Sequence, residues 1–263
     1  MIPKIVHYCW LSDDPVPTEL QKYMESWKKY LPDYEFVKWD FSRFSKNESK
    51  WVSDAFDNKK YAFAADYIRL YALYNYGGIY LDMDVEVTKP YGDMLKLGTM
   101  LGLENSKVNS LEVAAFGVEK HSEWIRLCLD HYNQREFINP DGSFNDQPLP
   151  GVIKKCLLDN GYTLVEVNSL EEALNVSGKG IPIFPYEFFS PKNHDTGKIK
   201  RTSNTYSIHH FAGSWLPEYQ QREMRFWHAL GIRDLRILLR IHNLFKYGSI
   251  KSVPKKSREN KKM

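Results

Sequence analysis

Residues 60–84 read KYAFAADYIRLYALYNYGGIYLDMD, and this stretch decides the fold. Ala62, Ala65, Ile68, Arg69 and Ala72 recur at spacings of three and four, which predicts a helix over 60–76. Gly77-Gly78 ends it, since glycine adopts the left-handed backbone that stops helices. Ile79-Tyr80-Leu81 then predicts a buried strand running straight into Asp82-Met83-Asp84, with Val85-Glu86-Val87 alternating beyond.

Working outward, Ile2–Tyr8 reads as an opening strand and Thr18–Tyr30 as a helix. Thr18-Glu19-Leu20-Gln21 fits a capping box, with Thr18 as the cap. Tyr34–Trp39 reads as a second strand, so the chain opens β-α-β, the start of a Rossmann-like layer. Residues 50–60 look helical. Met100–Leu103 and Val113–Val118 read as short strands, and Ser122 caps a helix to about Gln134. Residues 138–150 form a polar loop before a helix over 151–159. A strand at Tyr162–Val167 and a turn lead to the apolar run 181–189, and Tyr206–His210 reads as another strand. The fold class expected is α/β, a mixed sheet flanked by helices.

The chain has 263 residues, 43% hydrophobic and 26% charged, which suits a folded domain and excludes a disordered or collagen-like chain. No apolar run is long enough for a membrane span, and the opening MIPKIVHYCW does not read as a signal peptide. Cys9, Cys128 and Cys156 have no metal-type spacing, so a reducing, cytoplasmic setting is expected. The net charge of +3 is uneven: residues 222–263 hold 12 Lys+Arg against three acids, leaving the first 221 residues acidic.

Asp82 and Asp84 carry the chemistry. Residues two apart on an extended chain point to the same side, so both carboxylates face one point where an apolar strand ends. Two hard oxygens there suit Mn²⁺ or Mg²⁺ with a diphosphate. A solvated strand end with two acids is the bland reading. Asp66 and Arg69, three apart on the preceding helix, share a face. They either pair with each other towards solvent or bind sugar hydroxyls and phosphate.

The segments 63–69 and 76–84, Phe-Ala-Ala-Asp-Tyr-Ile-Arg and Tyr-Gly-Gly-Ile-Tyr-Leu-Asp-Met-Asp, resemble the sugar-binding region of glycosyltransferase family 32. The opening Ile2–Trp10 and the closing Ile208-His209-His210-Phe211-Ala212-Gly213-Ser214-Trp215 are similar to the same family's ends, so the resemblance spans about 1–216. It implies a GT-A fold, a nucleotide-sugar donor (UDP favoured over GDP), a divalent metal and retention at the anomeric carbon. Residue by residue, it implies that Asp84 binds the metal and Asp82 holds ribose or sugar and reaches the metal. It gives Asp66 and Arg69 the donor sugar, Trp10 the base, and Ser214 and Trp215 the diphosphate. A histidine ligand is implied at His209 or His210, with His210 favoured. Only one of the two can be a ligand, because neighbours on a strand face opposite ways. Asp146 and Gln147 resemble an Asp-Gln element facing the donor in other retaining enzymes. Core packing is the alternative for Trp10 and Trp215, and a surface turn for Asp146 and Gln147.

The domain limits expected are 1–220 for the catalytic domain, 221–250 for an amphipathic helical extension and 251–263 for a basic tail. Arg233, Arg236, Arg240 and Asn243 share one face of that helix. It reads either as an interfacial helix on an anionic membrane, at the inner face of the cell membrane, or as a helix docked on its own domain. The implied enzyme moves sugar to a glycan or lipid-linked acceptor in surface polysaccharide synthesis, with no nucleic-acid partner. Two rivals stand beside it: a metal-dependent phosphoryl hydrolase, and a non-catalytic glycan-binding or membrane-associated protein.

Overall fold

A computed structural model of the chain describes residues 1–104, 110–193 and 197–213. The chain divides into two units, 1–193 with 199–215, and 194–198 with 216–263. All elements below lie in the first. The amphipathic helix and basic tail expected over 221–263 lie outside the described residues, as do Ser214 and Trp215.

The strands are β1 (Ile5–Cys9), β2 (Glu35–Trp39), β3 (Gly78–Leu81), β4 (Val85–Val87), β5 (Thr99–Leu103), β6 (Leu111–Val118), β7 (Thr163–Glu166), β8 (Gly180–Phe184) and β9 (Ser207–His209). The helices are α1 (Thr18–Tyr30), α2 (Lys50–Asp57), α3 (Tyr61–Tyr76), α4 (Glu123–Asn133), α5 (Leu149–Asp159) and α6 (Leu170–Leu174). Seven strands form a mixed sheet in the order β2-β1-β3-β6-β5-β8-β7, and β4 pairs with β9 in a separate two-stranded sheet. The expected α/β class, a mixed sheet flanked by helices, is what the chain adopts.

Helices cover both faces. Trp51, Ile68, Leu73, Ile125 and Ile153 of α2 to α5 fill one core, while Leu20 and Trp27 of α1 and Ala173 of α6 fill the other. The sheet is therefore apolar on both sides, which is why β3 and β6 read as near-continuous hydrophobic runs. β1 lies parallel to β2 on one side and to β3 on the other. The chain thus switches direction across β1, and the carboxyl ends of β1 and β3 meet at one edge, where open α/β sheets bind ligands.

Three local readings change. Thr18 is the first helical residue and not the cap; Pro17 stands at the cap with no side-chain bond, and its carbonyl accepts Leu20 N and Gln21 N at 2.9 and 3.1 Å. The segment after Phe137 is the expected loop, with Asn139 N donating to Ser143 O at 2.8 Å, but it ends at Pro148 and α5 starts at Leu149, not at 151. Most consequential, β3 does not run on through Asp82-Met83-Asp84. Val85 N donates to Asp82 O at 3.0 Å, closing a turn that lifts the chain out of the main sheet and into β4.

Candidate active site

α3 is buried on most of its circumference, and its two charged residues, Asp66 and Arg69, are buried with it. A buried cation needs partners. Arg69 Nη2 lies 3.2 Å from Asp66 Oδ1 and 3.4 Å from Asp82 Oδ1, and Arg69 Nη1 donates to Val113 O of β6 at 2.8 Å. The guanidinium also lies over the Tyr80 ring, 4.5 Å from its centroid. Asp66 and Arg69 do pair, but inside the protein and with Asp82 as a third member.

At the end of β3, Asp82 N makes the last rung of the ladder to Ala114 O at 2.8 Å. Asp82 Oδ1 accepts from Tyr80 Oη at 3.0 Å. Two residues on, Asp84 is held from the opposite direction. Its Oδ2 accepts from Ala212 N at 2.7 Å, and its carbonyl accepts from His210 N at 3.0 Å. The segment after β9 is therefore clamped to the Asp82–Asp84 turn. Phe211 sits there with φ of 53°, a left-handed conformation unusual for a bulky residue and costing on the order of 1–3 kcal/mol. Its ring packs against His209, centroids 4.0 Å apart.

Asp82, Asp84 and His209 each offer one ligand atom, and these atoms lie within 4.8 Å of one another. The register pairing Val85 with His209 places the imidazole there, with Nε2 3.7 Å from Asp84 Oδ2. His210 departs from its expected role as the ligand. Its Nε2 meets Glu86 Oε2 at 2.9 Å, and its ring stacks on Tyr23 at 4.2 Å, on the other face of β9. The two carboxylates do converge, but through a tight turn and not through extended-strand alternation.

The electrostatics favour a cation. Burial raises Asp82's pKa, against Arg69, and the like charge of Asp84 adds to the rise. Burial also raises Asp66 to about 6, again against Arg69. Burial alone would discharge His209, but Glu112 and then Asp84 overcome it and hold the ring at about 9. Within the cluster the charged His209 ring offsets the acids, and a bound cation would take the place of its Nε2 proton. Two hard oxygens and one imidazole are a donor set that fits Mn²⁺ or Mg²⁺.

The remaining predicted residues fall as follows. Trp10 immediately follows β1, so it stands at the end of the strand parallel to β3. It is half-buried, its Nε1 donates to Asp14 O at 2.7 Å, and it packs against the second core. Asp146 is exposed and Gln147 half-buried on the turn before α5, where neighbouring Asn145 accepts from Arg135 Nη2 at 2.9 Å. Sequence reasoning missed Glu112 and Lys192. Lys192 Nζ donates to His210 O at 2.6 Å; burial lowers its pKa, and Asp84's charge opposes this. Glu112 had a signal, a lone acid in the apolar run Leu111–Val118, whereas Lys192 had none.

Residues 17–102 match the family described as the glycosyltransferase sugar-binding region containing a DXD motif. The chain is 29% identical over 150 residues to a mannosyl phosphorylinositol ceramide synthase of Saccharomyces cerevisiae, covering 52% of this chain and 37% of that one. It is 38% identical over 120 residues to an uncharacterized glycosyltransferase of Acanthamoeba polyphaga mimivirus, covering 42% and 48%. It is 34% identical over 98 residues to inositol phosphoceramide mannosyltransferase 3 of Schizosaccharomyces pombe, covering 36% and 27%. The chain spans less than half the length of these curated relatives. Among solved structures, a glycosyltransferase involved in glycosylating the major capsid of PBCV-1 superposes with a TM-score of 0.45 at 12% identity, over 84% of this chain and 98% of that one.

Proposed function

We propose that this chain, whose residues 17–102 match a DXD-containing glycosyltransferase sugar-binding region, is a metal-dependent, retaining glycosyltransferase of the family 32 type. It moves a hexose from a nucleotide-diphosphate sugar to a glycan or lipid-linked acceptor. The observation that carries this is the convergence of Asp82, Asp84 and His209 at the carboxyl end of β3, backed by the buried Asp66–Arg69 pair. The mannosyl names of the yeast relatives support a mannose-type sugar and a lipid acceptor of the phosphoceramide kind.

Asp82, Asp84 and His209 would hold a divalent cation, which would supply positive charge against the leaving diphosphate. The chain's own residues do the rest. Asp66 accepts hydrogen bonds from donor-sugar hydroxyls. Arg69 spends its fork on Asp66, Asp82 and Val113 O, so it fixes the two carboxylates in place. Trp10, at the end of the strand beside β3, stacks on the nucleotide base. In the reaction the bond from the anomeric carbon to the phosphate oxygen breaks. The acceptor hydroxyl oxygen forms the new bond from the same face, and its proton passes to the departing phosphate.

Asp84→Asn tests the reading. The amide oxygen can still accept from Ala212 N, so the fold persists while a cation-binding charge is lost. Transfer is expected to fall to background with the melting curve nearly unchanged; wild-type transfer by the purified variant in Mn²⁺ would overturn the assignment. A thermal-shift panel of UDP- and GDP-sugars with Mn²⁺ identifies the donor, because a ligand selective for the folded state raises the melting point by mass action.

A further inference from the structure

Glu112 is 1% exposed, a carboxylate in the middle of the protein. It lies on β6, in the main sheet, 97 residues before His209 in the second sheet. Both its oxygens are engaged. Oε1 accepts from Ala114 N at 2.7 Å, which ties the side chain to its own strand. Oε2 lies 3.2 Å from His209 Nδ1. The opposite ring nitrogen, Nε2, faces Asp84. Among the described residues, the group able to grip a cation is Asp82, Asp84 and His209, without Glu112.

We propose that Glu112 is a positioning residue: it accepts the Nδ1–H of His209 and so turns the Nε2 lone pair towards Asp82 and Asp84. This rests on the metal-binding reading above and deepens it. An imidazole can carry its proton on either nitrogen, and only the Nδ1–H form presents Nε2 as a ligand in this geometry. A carboxylate behind a ligating histidine fixes both tautomer and ring orientation, and its loss typically costs 10–100-fold in metal affinity. A buried carboxylate also needs a partner for its charge, which explains why an acid persists in an otherwise apolar strand. The contact joins the main sheet to the β4–β9 sheet, so the histidine is set from the rigid core and not from its own short strand.

The test is Mn²⁺ binding to the full chain, measured by calorimetry, for wild type, Glu112→Gln, His209→Ala and the double variant. Glu112→Gln is expected to weaken Mn²⁺ by about 10–100-fold, with no further loss when it is added to His209→Ala. Affinity of Glu112→Gln within twofold of wild type would overturn the proposal. So would an equal further loss in the His209→Ala background, since that marks a charge effect acting without the histidine. Wild-type protein that binds no Mn²⁺ would instead strike down the metal reading itself, and the proposal with it. A second measurement needs no variant: nitrogen-15 spectra of histidine-labelled, Mg²⁺-loaded wild type should show the His209 proton on Nδ1. A proton on Nε2 refutes the inference even if Glu112→Gln fails to fold.

Discussion

Arg69 shows how a residue's surroundings set its role. A guanidinium on a solvent-facing helix could be removed at little cost, but this one is itself buried, between buried Asp66 and half-buried Asp82. Breaking such a group from one side leaves uncompensated charge, so Arg69→Ala should destabilise the fold by about 3–5 kcal/mol, read by urea denaturation. A loss under about 1 kcal/mol would mean the ion pairs are idle. His7 offers a prediction in pH. Burial lowers its pKa to about 4, and nearby Arg43 pushes the same way. Trp39 Nε1 donates to Nδ1 at 3.0 Å and Nε2 faces Gly77 O at 2.8 Å, so a proton added at Nδ1 would confront another donor. The unfolded chain therefore binds this proton first as pH falls. Stability from the neutral ring is complete above pH 6.5 and is lost as pH falls through the window down to about 4. Between pH 7 and pH 5 the loss from this one group is about 2 kcal/mol. His7→Gln should flatten the wild-type pH slope by that amount, and an unchanged slope would exclude the assignment. That Asp82 would lie near Asp84, and Asp66 near Arg69, was legible because each pair is local in sequence. The choice between His209 and His210 was not, because neighbours on a strand take opposite faces and only the β4 pairing says which faces inward. Glu112 stood out as a lone acid in an apolar run, but its partner, 97 residues further along the chain, had no local sign.

At the scale of elements, the Gly77-Gly78 joint sets where the site forms. A Cβ on Gly78 would meet Ile5 O at 2.6 Å, and its φ of +103° is one that side chains resist. The glycine lets β3 begin at once beside β1, which fixes how far β3 reaches and hence where Asp82 emerges. Gly78→Ala should cost about 2–6 kcal/mol from overpacking and backbone strain together, measured by chemical denaturation. Gly142→Ala makes the control: its φ is +81° but nothing lies within 4 Å of the added methyl, so only the strain remains. Equal costs at the two positions would show that close approach to β1 is irrelevant. Helix α3 was readable from its apolar spacing and its glycine stop, and α1 from the capping-box pattern at Thr18–Gln21, though Thr18 is not its cap. The turn at Asp82–Val85 was not, because Leu-Asp-Met-Asp-Val has the alternation of a strand. What breaks the strand is a long-range contact, the pairing of β4 with β9, and local pattern carries no trace of it. The five-residue α6 was equally hidden, too short for a period to show.

Over the whole molecule, the β-α-β opening was visible, but the full order β2-β1-β3-β6-β5-β8-β7 depends on pairings between segments far apart and had no local signature. Charge distribution, by contrast, is a whole-chain property that the sequence states outright. Residues 222–263 carry 12 basic side chains against three acidic ones, while the rest of the chain is net acidic. Among the described residues no helix is long and apolar enough to cross a membrane. The proposed lipid-linked acceptor would lie in a bilayer, and a basic segment can bring the chain there. Each Lys or Arg near an anionic surface contributes about 1 kcal/mol, and the attraction fades beyond a Debye length of about 10 Å at 0.1 M salt. The full chain is therefore expected to co-sediment with vesicles containing phosphatidylserine and to be released as sodium chloride rises towards 0.5 M. Neutral phosphatidylcholine vesicles should retain far less. The rest of the chain is net acidic and adds no attraction, so the interaction should also be abolished by exchanging the basic residues of 251–263 and Arg233, Arg236 and Arg240 for glutamine. Equal retention on neutral and anionic vesicles, or binding that ignores salt, would show that charge does not bring this chain to a membrane.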